Sequence, residues 1–361
     1  MTAAPSAGSN RPSARIRQLV TTYALAAVAG AAAAWLGMPL PWMLGPFFVF
    51  AVLSAAGGRF RLVPKGRELA QVAIGLAIGL RFTGPVVAAM LLLTPQMVMA
   101  TLYLLVVTTA AALLFRRLSG VDPVTAFFAT AAGGVADMAV VAERFGGVPS
   151  SVAVVHAMRV SLVVATAPFI VLGTAGTGGG GGLGEPGSIA GLPLLIAGLL
   201  AAYLGALLLR PTPLPNPWLV GPILAGMAMA LAGLTGIVVP GWLIMIAQIV
   251  LGVWLGCQFR RDLLTALPRV TAAAVAVGGF LVAMAALGAA ALTGLSDLPF
   301  ATAFLSLAPA AVTEMVLIAK VMHLDAETVA AFHVMRIVIV ATTVLGIFKL
   351  YCAIVGTKIG P

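Results

Sequence analysis

The sequence predicts an all-α polytopic membrane protein made of two inverted repeats of about five transmembrane helices each, with interrupted or re-entrant helices. Three observations lead there. The chain is 61% hydrophobic and only 8% charged, with a mean hydropathy of +1.14, and its apolar residues come in blocks of about 17 to 25, the length that crosses a bilayer as a helix. The blocks lack the period-2 alternation of barrel strands. The sequence also repeats itself, and its basic residues fall in alternate loops.

Residues 1–14 read as a disordered cytoplasmic tail. Basic residues followed by apolar residues 19–36, in a run expected to be helical over 16–36, resemble a signal peptide. That run has a counterpart at 188–209, which no signal peptidase could remove, so it is expected to stay. Helix 41–57 returns to the basic loop GRFRLVPKGR, residues 58–67. Residues 68–93 cross next, with an irregularity at Gly84-Pro85, and 95–115 return to Arg116 and Arg117. A broken hairpin over 122–145 then precedes the last helix of the first repeat, residues 15–172. A glycine-rich linker, 173–187, leads to the second repeat, 188–361, whose own hairpin spans 297–323.

The duplication is read from four matched segments. PLPWMLGP (39–46) matches PNPWLVGP (215–222), with Trp42 opposite Trp218. AQVAIGLAIGLRF (70–82) matches AQIVLGVWLGCQF (247–259) and pairs Gln71 with Gln248. TAFFATAAGGVADM (125–138) matches TAFLSLAPAAVTEM (302–315), pairing Asp137 with Glu314, and HAMRV (156–160) matches HVMRI (333–337). Self-similarity at a fixed spacing is stronger evidence than any single motif.

The net charge of +10 does not point to nucleic acid, because the Lys and Arg residues are scattered through loops and helix ends without a basic tract. Positive charge retained in cytoplasmic loops explains it. Arg11, Arg15 and Arg17, the 58–67 loop, Arg116 and Arg117, then Arg210, Arg260, Arg261 and Arg269 all fall inside only if each copy crosses an odd number of times. Five crossings per copy, both termini cytoplasmic, make the repeats inverted, with the site at the midplane between them. The bilayer of a bacterial-type inner membrane is the expected setting. Six crossings per copy would place the second copy's basic loops outside. Self-association is left open.

Candidate chemistry sits at the hairpin breaks. Gly133 and Gly134 interrupt the first, and Pro309 interrupts the second by loss of a donor and ring clash. Broken backbone at membrane depth is tolerated only inside protein or beside a water-filled cavity. Asp137 and Glu314 follow in the first turn of the second half-helix, where the dipole favours a carboxylate. They serve either as helix-terminal or ion-pair residues or as a cation or proton site. His156 with Arg159, and His333 with Arg336, share a helix face. The simplest arrangement pairs Arg159 with Asp137 and Arg336 with Glu314. Such pairs either fix the hairpins or leave the arginines to take an anionic solute while the acids take a coupling H+ or Na+. Gly75 with Gly79 and Gly252 with Gly256 are spaced for close helix packing, with Gln71 and Gln248 facing the same cavity. Trp42 and Trp218 are placed as interfacial anchors.

Through PLPWMLGP, AGGVADM, HAMR and their second-copy counterparts, nearly the whole chain after the tail resembles the membrane AbrB family. The resemblance implies a duplicated membrane domain, and members are often labelled ammonia monooxygenase or regulator of gene expression. It is similar in plan to cation/proton antiporters and anion transporters. Three functions follow as expectations: a secondary transporter of a small solute, a membrane regulator, or an oxygenase. An oxygenase needs clustered imidazole and carboxylate ligands, and the chain has three histidines, so no enzyme activity, cofactor or metal is expected. Ala310 and Ala311 replace Gly133 and Gly134 in the second copy, which makes the first copy the preferred site.

Overall fold

The computed structural model describes residues 12–175, 192–212, 216–234 and 236–356, without the side chains of 12–14, 135–137, 175, 263, 264 and 266. Of the expected tail 1–14, residues 1–11 lie outside the described residues and 12–14 begin the first helix; of the expected linker 173–187, residues 173–175 end a helix and the rest lie outside the described residues. Everything described is helix, turn or irregular, as expected.

The first half runs α1 (Pro12–Trp35), α2 (Pro41–Ala55), α3 (Gly66–Gly79), α4 (Gly84–Leu92), α5 (Thr94–Ser119), α6 (Pro123–Thr130), α7 (Val135–Arg144) and α8 (Pro149–Ala175). The second runs α9 (Leu192–Leu209), α10 (Pro217–Leu231), α11 (Gly241–Gly256), α12 (Arg261–Ala266), α13 (Pro268–Leu295), α14 (Phe300–Leu307), α15 (Val312–Val321) and α16 (Ala326–Val355). Six of these, α1, α5, α8, α9, α13 and α16, are long and apolar enough to cross a membrane. The stretch 68–93 is not one straight crossing. Its helices α3 and α4 meet at 90°, and the break lies at 80–83, with Gly84-Pro85 starting α4, where proline's missing donor costs nothing.

The helices sort into two groups. In one, α2 lies between α1 and α11, and α10 lies between α9 and α3. In the other, α5 and α13 pack together and support α6, α14, α8 and α16. Four glycines allow the first group to form. A Cβ on Gly75 would lie 2.8 Å from the Leu219 carbonyl oxygen and one on Gly79 2.3 Å from that of Ile223. On the other side, a Cβ on Gly252 would lie 2.3 Å from the Met43 oxygen and one on Gly256 2.7 Å from that of Phe47. Backbone meets backbone at both crossings, so no side chain fits. Trp42 packs on Gly30 of α1, and Trp218 on Tyr203 of α9 with ring centroids 5.5 Å apart. The outer faces of α1 and α9 expose Val20, Val28, Leu200, Leu204 and Leu208, as surfaces against lipid do.

Positive charge gathers at one end. Arg261 lies beside Gly57, and Arg269 donates from Nε to the Leu118 carbonyl at 3.0 Å and borders Gly120. The 57–67 loop, the end of α5 and residues 257–269 therefore meet there. At the opposite end Arg81 pairs with Glu327, beside a cavity of about 400 Å³ lined by Met90, Leu298, Asp325 and Thr328.

Each short helix pair is a hairpin. The Val148 amide, after α7, donates to the Thr125 hydroxyl in the first turn of α6 at 2.8 Å. The entrance and exit of this hairpin therefore coincide, at the basic end. For α14 and α15, Leu298 and Asp325 line the same cavity, so that hairpin opens at the opposite end. Eight and ten residues make helices of roughly 12 and 15 Å, and neither can span about 30 Å of hydrocarbon.

Candidate functional site at the hairpin breaks

The two breaks have the same shape although their residues differ. Ala131 and Ala308 leave the first half-helices with φ/ψ of −52°/145° and −56°/129°. Gly134 and Ala311 begin the second half-helices at −70°/141° and −73°/146°. None of these angles requires glycine. Gly133 matters for space: a Cβ there would lie 2.6 Å from the Met138 methyl. Pro309 sits inside the second break, where no helical amide is lost.

A helix end leaves carbonyls without intrahelical donors, and in a dry interior they must be met. Arg159 donates from Nη1 to the carbonyls of Thr130 and Ala131 at 3.0 and 2.9 Å, and from Nη2 to His156 Nδ1 at 3.0 Å. Arg336 donates from Nη1 to the Ala308 carbonyl at 3.0 Å, and from Nη2 to the Ala310 carbonyl at 3.0 Å and to His333 Nδ1 at 2.6 Å. The histidines bond Phe128 and Leu305 carbonyls through Nε2 at 3.0 and 2.9 Å. An arginine only donates and a carbonyl only accepts, so both imidazoles are neutral with the proton on Nε2. Their ring nitrogens are fully used, leaving no lone pair for a metal. All four side chains are buried. Each cation also faces the negative end of a half-helix dipole.

The expected Arg336–Glu314 pair is therefore not formed. The guanidinium caps the first half-helix, whereas Glu314 belongs to the first turn of the second, across the break. Asp137 occupies the matching place in α7. Its side chain lies outside the described residues, and Arg159 is engaged with carbonyls and His156.

Glu314 faces the other helix group. It is 2% exposed, and its Oε2 is buried with no hydrogen-bond partner. Next to it, the Thr313 hydroxyl accepts from Gln71 Nε2 at 2.9 Å and from Asn216 Nδ2 at 3.4 Å. Asn216 holds a left-handed conformation, φ 56°, immediately before Pro217, and its side chain closes this corner. Gln248, matched to Gln71, is buried with its Oε1 unpartnered. Arg67 lies one turn before Gln71 on α3, over the Trp254 ring at 4.1 Å. Gln71, Gln248 and Glu314 were legible as candidates from the sequence. Arg67, Asn216, Trp254 and Thr313 were not, Arg67 because it ends a basic loop. Its i, i+4 spacing from Gln71 was the available signal.

Residues 42–351 match the family described as transition state regulatory protein AbrB. The chain belongs to the AbrB family. It is similar to the protein YhjN of Bacillus subtilis (strain 168), at 24% identity over 93% of each chain. It is also similar, at 26% identity over 83% of this chain and 86% of the other, to AbrB of Escherichia coli (strain K12), whose name marks it as a candidate regulator. The match covers both hairpins and both capping His–Arg pairs.

Proposed function

We propose that the chain is a secondary transporter of a small solute coupled to H+ or Na+, resident in a bacterial-type inner membrane with both termini in the cytoplasm. The observation that carries this reading is Glu314. A carboxylate with an unpartnered oxygen is costly in a dry interior, and this one sits at the tip of a broken hairpin where two helix groups meet. A structural role would supply its missing donor; an ion or solute supplies it in a transporter.

The surrounding plan supports the reading. Helix order is the same before and after the linker, and α3 packs on α10 as α11 packs on α2. With the basic end placed in the cytoplasm, one hairpin enters from each side, the arrangement of inverted repeats with re-entrant segments. Rocking of the α5–α8 and α13–α16 group against the other would expose the Glu314 corner to each side in turn.

The test is solute-driven flux in proteoliposomes, with and without H+ and Na+ gradients. Glu314→Gln is expected to abolish coupling, and Asp137→Asn to weaken it. Flux unchanged in both variants would remove the assignment. The name of the Escherichia coli relative favours a second reading, a membrane regulator. In that case a ligand binds the same corner without flux, and deletion changes the transcript profile.

A further inference from the structure

Four residues round Glu314 depart from the duplication. Arg67, Trp254, Thr313 and Asn216 stand where the matched positions carry Ile244, Ala77, Ala136 and Leu40, although the capping histidines and arginines are matched one for one. They come from α3, α11, α15 and the start of α10, and they meet at one place. Thr313 is held by Gln71 and Asn216. The Arg67 guanidinium carbon lies 4.1 Å from the centre of the Trp254 ring, with Nε buried and without an acceptor. Glu314 Oε2 is buried without a donor. Arg67 lies one turn from Gln71, which reaches Thr313 beside Glu314, yet Arg67 and Glu314 form no ion pair. Among the described residues the ion pairs are Arg81–Glu327 and Arg260–Asp262.

We infer that this corner binds a small zwitterion, its carboxylate on Arg67 and its ammonium on Glu314, with Gln71, Thr313 and Asn216 giving neutral hydrogen bonds between them. The contact with Trp254 holds the guanidinium in place, and its in-plane donors match a carboxylate two at a time. An anion alone would leave Glu314 unpaired and repel it, and a cation alone would do the same to Arg67. A zwitterion satisfies both without adding net charge to a buried site. The symmetric His–Arg caps build the hairpins, and the asymmetric residues select the solute. This inference rests on the transport reading for the purpose of the site, but binding tests it separately.

The probes are alanine, β-alanine and 4-aminobutyrate, which separate the two charges by increasing distances, with propionate and propylamine as single-charge controls. Binding is measured by calorimetry and by thermal shift on the purified full chain in detergent. At least one zwitterion is expected to bind tenfold or more tightly than both controls, and Arg67→Gln and Glu314→Gln are each expected to abolish that preference. Trp254→Leu keeps both charges and should weaken binding severalfold, so it decides the case if a charge variant fails to fold. Binding of propionate or propylamine as tight as that of the zwitterions, or no binding by any probe, overturns the inference. A zwitterion that binds but is not moved in proteoliposomes overturns the transport reading and leaves the site standing. Glu314-dependent flux of a solute with one charge or none does the reverse.

Discussion

Replacing Arg336 with methionine removes three hydrogen bonds from the second break, leaves the Ala310 carbonyl and Nδ1 of His333 without donors, and leaves the Ala308 carbonyl with the Ala310 amide alone. Bonds from an ionised donor contribute about 1.5–3 kcal/mol each. Against that, keeping an arginine at membrane depth costs about 2.5–3.5 kcal/mol, which methionine avoids. The difference is a destabilisation of roughly 1–6 kcal/mol. Arg336→Lys keeps the charge but can meet fewer acceptors from one nitrogen, so its loss should be smaller. Arg159→Met should cost a similar amount, because its bonds are the same in number and kind. The assay is reversible unfolding in mixed micelles, followed by tryptophan fluorescence. Wild-type stability in Arg336→Met would refute the capping argument, as would a lysine variant worse than the methionine one.

Gly79→Ala and Gly252→Ala should each cost about 1–3 kcal/mol by overpacking, since the new Cβ would meet backbone oxygen at 2.3 Å. Gly279→Ala, with nothing within 4 Å of its Cβ, is the control and should be neutral or better in the same unfolding assay. Arg81→Ala should cost about 1–3 kcal/mol, because the Glu327 side chain is only 8% exposed and would be left as a buried carboxylate without its cation. It should also speed thiol labelling of a Thr328→Cys variant, because Arg81 and Thr328 line the same cavity. Labelled imidazole nitrogens of His156 and His333 should give the resonances of a neutral ring protonated at Nε2; a charged ring at either position would contradict the donor assignment.

The hairpin breaks were legible because Gly133-Gly134 and Pro309 are conspicuous in apolar sequence, although the angles at Ala131, Gly134, Ala308 and Ala311 suit any residue. The close glycine crossings were legible from four-residue spacing. The partner of Arg336 was not. Opposite charges on matched segments invite pairing, but the carbonyls left at the end of α14 carry no mark in the sequence, since every residue has one. The bend after Gly79 was displaced from its expected place because proline at a helix start marks where the next helix begins, so the turn lies before it. Arg67 was read as loop charge. Its role depends on Trp254, contributed by the other half, which no local pattern connects to it.

Gln71 and Thr313 touch although 242 residues separate them in the chain. At about 5–20 residues per second of synthesis, α3 waits on the order of 10 to 50 s for α15, and α2 waits nearly as long for α11. Until α10 and α11 are inserted, the glycine face of α3 and the face of α2 that receives Gly252 and Gly256 have nothing against them. The first half is thus an unfinished object in the membrane, and its quality control falls to whatever holds an unclosed helix pair until its partners are inserted.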